Sequence, residues 1–252
     1  MPCRSRSCRL FLAVSAGLAL LGACGSRTPL LVDAAPDATS GDAQQTHVST
    51  AGPSTIAFVS DATWPWFDGN LQGPEGPSRG TAALVCVSAV LPTNCPGAAA
   101  GAVVYQTGDQ TSGWRASYPG AFWIWRGDVT PTEIGDLQFA VFQRTFVLGA
   151  NPKGVISIGA DDLAEVMVNG EVVGTTGSVT DVTVASANQN QLTEMALDDY
   201  LVEGANSITI VAENGPSSFT GGACSPCPYA INTAGVVFGG TLTSGGVSTV
   251  PP

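Results

Sequence analysis

Val166-Met-Val-Asn-Gly-Glu-Val-Val173 decides the fold. Asn169-Gly170 stands between two β-branched runs, and a two-residue hairpin loop of type I′ needs positive φ at both central positions, which Asn and Gly supply at least cost. Two strands are therefore expected back to back. Upstream, residues 154–159 (GVISIG) read as a strand and residues 138–148 as a longer one, in which Phe142, Phe146 and Leu148 share a face by the two-residue period. Arg144 has the same parity, so either a bulge intervenes or Arg144 lies at the rim against an acid. Further strands are expected at 84–90, 102–105, 121–125, 178–184, 207–213 and 235–243. Asp198 is placed to cap a single helical turn through Val202, stopped by Gly204. Short strands punctuated by Gly, Pro, Asn and Asp, with no internal repeat, predict an all-β jelly-roll β-sandwich over residues 53–247, with 248–252 as a C-terminal tail.

Composition agrees. Of 252 residues 12% are charged and 44% hydrophobic, with 31 Gly and 17 Pro, which excludes helical bundles and coiled coils while leaving enough apolar side chains for a core. The formal net charge of −11 excludes nucleic acid as a partner, because phosphate neutralisation needs clustered Lys and Arg.

Residues 1–9 carry Arg4, Arg6 and Arg9 and no acid, and an apolar run over residues 10–21 follows. A basic start, a short apolar stretch and small residues after it form a secretory signal, too short to span a bilayer, which takes roughly 20 residues. Residues 1–23 are thus expected to be removed, leaving six basic residues against 20 acidic ones, a net of −14. Residues 24–52, rich in Ala, Asp, Ser, Thr and Gln, read as a flexible tether. His47, the single histidine, falls in this tether and is a poor candidate for base or ligand.

Leu21-Gly22-Ala23-Cys24 resembles the bacterial lipoprotein box. The resemblance implies lipidation at Cys24, which becomes the mature N-terminus. Gly25 and Ser26 lack the Asp that commonly retains such proteins at the inner membrane, so the expected location is the outer membrane or cell surface, with contact to the membrane through the lipid alone.

With Cys3, Cys8 and Cys24 assigned to the leader, Cys86, Cys95, Cys224 and Cys227 remain, an even number in an exported chain. Three pairings are open, of which Cys86–Cys95 and Cys224–Cys227, both closing short loops, are favoured. A redox role for Cys224-x-x-Cys227 would need a thioredoxin-like βαβ setting, and a four-cysteine zinc site would need closer spacing in the first pair.

The ordered set Trp123-Ile-Trp125, Phe142-Gln-Arg-Thr-Phe146, Ala160-Asp161-Asp162, Val168-Asn169-Gly170, Leu201–Asn206, Glu213-Asn214 and Ala234–Phe238 resembles galactose-binding-like jelly-roll domains. Its central part also resembles the protective-antigen-type lectin domains of flocculin adhesins. In those lectins two adjacent aspartates and a downstream asparagine coordinate calcium, which binds sugar hydroxyls directly. The resemblance implies calcium as cofactor, with Asp161, Asp162 and Asn214 as ligands. Hard oxygen donors suit Ca²⁺, but Asp-Asp is also a good turn pair that bonds backbone N–H groups.

Trp64, Trp66 and Trp114 sit among Gly, Pro and Asp and are candidates for stacking on sugar rings, whereas Trp123 and Trp125 share one face of a strand and read as core. Asn188, Asn190 and Gln191 fall in an expected polar loop. The chain carries no Gly-x-Ser-x-Gly elbow, no phosphate loop and no zinc-binding His pair. Together with the resemblances, this points to a non-catalytic, lectin-like carbohydrate-binding jelly-roll domain, with or without calcium, on a surface lipoprotein. The alternatives are an envelope module that binds an envelope or extracellular protein without a sugar site, and a glycan-active enzyme.

Overall fold

In the computed structural model the described residues are 53–87, 103–105, 114–221 and 224–246, with side chains described except at 86–87, 103–105 and 220. The signal segment, Cys24, the tether, Cys95 and the 248–252 tail lie outside them, as does the side chain of Cys86, and so the Cys86–Cys95 pairing. The described strands are β1 (Ser54–Val59), β2 (Pro65–Asn70), β3 (Gly73–Thr81), β4 (Ala83–Val87), β5 (Val103–Tyr105), β6 (Ile124–Trp125), β7 (Phe139–Leu148), β8 (Lys153–Asp161), β9 (Leu163–Val168), β10 (Glu171–Gly177), β11 (Thr193–Ala196), β12 (Gly204–Glu213) and β13 (Gly235–Ser244). An α-helix, α1 (Val182–Asn190), lies between β10 and β11, and a 3-10 helix (Ser217–Thr220) between β12 and β13.

The strands form a β-sandwich of two sheets. One runs β10-β9-β12-β7-β2-β3; the other runs β11-β8-β13-β6-β4-β5, with β1 also on β13. All pairs are antiparallel except β4–β5. The β9–β10 turn is the two-residue one expected, with φ of 55° at Asn169 and 84° at Gly170. Asn169 also ties the turn to its neighbours, donating through Nδ2 to Asn206 Oδ1 and Tyr200 O and accepting at Oδ1 from Ser207 N.

The core lies between the sheets, as period-two patterning requires. Phe142, Phe146, Leu148, Val166, Ile208 and Ile210 from one sheet meet Ile156, Ile158, Val236, Phe238 and Leu242 from the other. No bulge interrupts β7 against β12, whose pairing runs unbroken from Gly204↔Leu148 to Glu213↔Phe139. Arg144 therefore stays on the inner face at its rim. It meets an indole rather than an acid: its guanidinium lies 4.4 Å from the Trp64 ring centroid, and Nη2 donates to Thr63 Oγ1 at 2.8 Å.

Three expected elements differ. Residues 178–184 were expected as a strand because Val182 and Val184 alternate with polar residues, but Val182–Asn190 is helical. Asp181 decides this: its side chain accepts from Thr183 N and Val184 N, the N-cap arrangement, and both valines stay exposed. Asp198 begins a hydrogen-bonded turn, Tyr200 N to Leu197 O, rather than a helical one, because its carboxylate is engaged by Gly154 N and Lys153 Nζ. The expected 121–125 strand shortens to β6, where Ala121 N instead closes a turn on Tyr118 O.

Candidate functional site

The end of β8, the β10–α1 connection and the end of β12 converge on Asp161 and Asp162. Asp162 N donates to Glu213 O (3.1 Å), and Gly215 N donates to Asp162 Oδ2 (2.7 Å), so the chain on both sides of Asn214 is hydrogen-bonded to Asp162. The backbone on either side of Asn214 thus lies against Asp162, although the two are far apart in the sequence.

Each is fixed by its surroundings. Asn188 on α1 is buried and donates to both Ala160 O (3.0 Å) and Asp162 O (3.3 Å), while Thr176 Oγ1 donates to Asn188 Oδ1 (2.8 Å). Asp161 Oδ2 accepts from Trp114 Nε1 (3.1 Å). Gln189 Nε2 donates to Asp161 Oδ1 and, at 3.2 Å, to Asp162 Oδ1. Asn214 Nδ2 donates to Gly135 O (2.7 Å) and Asn232 O (3.1 Å). The Asn214 amide is thereby oriented, and its Oδ1 is buried with no hydrogen-bond partner among the described residues.

The electrostatics are unusual for a turn. Asp161 is 6% and Asp162 3% exposed. Burial, then the adjacent Asp162 charge, pushes the Asp161 carboxyl well above the ordinary carboxylate range. Burial also raises Asp162, against the lowering effect of its hydrogen bonds from Asp161, Gly215 N and Gln189. Two desolvated acids side by side are hard oxygen donors of the kind a divalent cation such as calcium takes, and the buried Asn214 Oδ1 is an oxygen of the same kind.

The aromatic candidates separate. Trp64 is fully buried, donates to Val59 O (2.7 Å) and meets Phe238 edge-on, so it is a core residue and offers no face to a ligand. Trp66 is likewise buried, with Arg126 5.8 Å from its ring centroid. The stacking role expected of both is corrected: β2 carries Trp66 inward opposite Phe142, and the turn before it folds Trp64 under Arg144. Trp114 is half-buried beside Asp161 and packs against Trp123, ring centroids 4.2 Å apart and 31° between planes. Trp125 is in the core as expected, donating to Tyr229 Oη, whereas Trp123 is only half-buried.

Cys224 and Cys227 form a disulfide, which sets aside a zinc or free-thiol role for this pair. The bridged loop supports the site: Gly135 N donates to Cys227 O (2.9 Å), and Asn232 Nδ2 donates to Gly215 O (2.9 Å) and Asp136 Oδ1 (2.9 Å). Gln189 and Asn232 were missed in the sequence because each acts through a fold contact. The one usable signal was Asp181 as a helix cap, which would have placed Asn188 and Gln189 on a helix.

No family model matches the chain, and no curated protein matches it. Among solved structures it is similar to the α-L-rhamnosidase of Streptomyces avermitilis (20% identity, 48% of this chain and 10% of that one, TM-score 0.33). It is also similar to a β-glucuronidase from glycoside hydrolase family 2 (14%, 74% and 18%, TM-score 0.37) and to the β-glucuronidase of Bifidobacterium dentium (14%, 78% and 30%, TM-score 0.33). The chain spans between a tenth and under a third of the length of these enzymes.

Proposed function

We propose that this chain is a non-catalytic, lectin-like carbohydrate-binding domain that uses calcium, carried on an exported protein lipidated at Cys24 and displayed at the outer membrane or cell surface. One observation carries the reading: the buried pair Asp161 and Asp162 is hydrogen-bonded to the backbone on both sides of Asn214, whose amide is held by its nitrogen and whose Oδ1 has no partner among the described residues. Asp161, Asp162 and Asn214 would hold the ion. Calcium takes 6–8 oxygens, so a site with few protein ligands leaves positions that vicinal sugar hydroxyls can fill. Trp114, bonded to Asp161 and half-buried, is the aromatic side chain beside the carboxylates against which a sugar ring on the ion would pack.

A second reading has its own support. Trp114, Gln189 and Gly215 N satisfy the two carboxylates without any ion, as a structural cross-link in an envelope module that binds a protein partner would require. Calorimetry with calcium followed by a glycan array with and without chelator separates the two. Calcium binding with chelator-sensitive glycan binding supports the lectin. Absence of both supports the structural module and refutes the proposal.

A further inference from the structure

Among the described residues, Gln189 is the one whose side chain donates to both carboxylates, through Nε2 to Asp161 Oδ1 and Asp162 Oδ1. No donor among the described residues reaches its Oε1. Its backbone is anchored: Gln189 O accepts from Arg115 N (3.0 Å) and Ala116 N (3.1 Å), and the preceding Asn188 clamps Ala160 O and Asp162 O. The terminal amide itself is held by the two carboxylate bonds of Nε2.

A primary amide carries two donors and one acceptor on the same planar carbon, and the torsion that exchanges them is broad and roughly two-fold. Facing two anions, the amide must present its N–H end, as observed. Facing a cation held by those anions, the favourable end is the oxygen. Asp161, Asp162 and Asn214 supply fewer oxygens than the 6–8 calcium takes, and a carboxamide oxygen is among its ordinary ligands.

We propose that Gln189 is a further ligand of the calcium ion held by Asp161, Asp162 and Asn214, its amide turning over on binding so that Oε1 replaces Nε2 toward the shared site. The inference rests on the calcium reading above. It makes α1 part of the site: the helix supplies one oxygen and, through Arg115 N and Ala116 N, anchors the segment that carries Trp114.

Terbium substituted for calcium in the full chain provides the test, because Trp114 beside Asp161 sensitises terbium luminescence, and lifetimes in water and heavy water count the waters on the ion. Gln189→Leu is expected to add one bound water and to weaken calcium binding by about tenfold or more, judged by calorimetry. Gln189→Glu, which keeps an oxygen at that place, is expected to retain the wild-type water count and to bind at least as tightly. If the Leu variant does not fold in a thermal melt, Gln189→Ser gives the same reading, its short side chain leaving room for the extra water. An unchanged water count with unchanged or tighter calcium binding would overturn the assignment and make the amide a competitor of the ion. Wild-type protein that neither sensitises terbium nor takes up calcium fails the calcium reading itself, an outcome distinct from the variant result.

Discussion

Replacing Asp161 with Asn should make the metal-free protein more stable and the calcium-loaded protein less stable than wild type. Asp161 Oδ1 and Asp162 Oδ1 accept from one nitrogen of Gln189, and two acceptors around one donor lie roughly 4–5 Å apart. At about 4 Å and an effective dielectric near 20, two full charges repel by about 4 kcal/mol, an upper bound for this pair. Against that relief, the Asp161→Asn variant would trade two charge-assisted hydrogen bonds, from Trp114 and Gln189, for neutral ones, a loss of roughly 1 kcal/mol each. Gln189 can turn its amide to accept from the new Nδ2, so no donor is stranded. The net gain is about 2 kcal/mol at a pH high enough to ionise both carboxyls. It shrinks as pH falls, because burial and the Asp162 charge hold the Asp161 carboxyl well above the ordinary range and proton uptake there relieves the repulsion. At this chain length the full gain appears as a rise of about 4–8 °C in the midpoint of a thermal melt in chelator. Calcium at a hundredfold excess over its Kd stabilises the wild type by about 2.7 kcal/mol and leaves the variant unmoved, so the order of the two melting temperatures reverses. Differential scanning calorimetry in chelator and in calcium reads both halves. A variant less stable than wild type in chelator, with no calcium effect on either protein, would show that the carboxylate serves only its hydrogen bonds, and would refute the charge-pair reasoning.

Trp64→Ala removes a fully buried indole and exposes the underside of Arg144, and should cost about 3–5 kcal/mol in urea unfolding. A fall of under about 1 kcal/mol would return Trp64 to the surface. Gly177 has φ of 81°, and a Cβ there would overlap Asp162 O and sit 2.6 Å from Asn188 Nδ2. Gly177→Ala should therefore destabilise by about 2 kcal/mol and weaken calcium binding together, whereas Gly170→Ala at φ 84°, with no atom within 4 Å of the added Cβ, should destabilise without touching the ion. Glu165 is buried with Oε1 unpartnered, and burial raises its folded pKa above the unfolded value. Its charged form is penalised in the folded state, so stability is greatest below the unfolded pKa and is lost as pH rises through the folded pKa. Glu165→Gln should flatten that fall between acid and neutral pH in pH-resolved melts. A steeper fall in the variant would contradict it.

The hairpin at Asn169-Gly170 and the strands around it were legible because turn chemistry and period-two patterning act within a few residues. The helix was not, because Val182 and Val184 imitate a strand edge and the deciding contact is a single cap from Asp181. Trp64 and Trp66 misled for a related reason. Pro, Asp and Gly around them mark turns, but here the turn dips beneath Arg144, and that depends on β7 lying opposite. Asp161, Asp162 and Asn214 could be singled out by resemblance. The approach of Asp162 to the backbone around Asn214 depends on β9 and β12 pairing at Leu163↔Glu213, a register that local residue patterns do not encode.

That register also explains why the acidic pair can be kept. A turn needs only carboxylates that bond nearby N–H groups, and an exposed Asp-Asp would do so at no desolvation cost. Here four separate segments are committed to the two side chains and their backbone: Asn188 and Gln189 from α1, Trp114 from its loop, Gly215 from the end of β12, and Ser178 N on Asp162 O. Such commitment costs stability that chain reversal alone does not require, because burying like charges is costly even when each is hydrogen-bonded. The Asn214 amide extends the same logic. Gly135 O, Asn232 O and the Cys224–Cys227 loop behind them hold its nitrogen, yet no residue is spent on its oxygen. A stabilising network would satisfy that oxygen first; a network that presents it to an ion would leave it open.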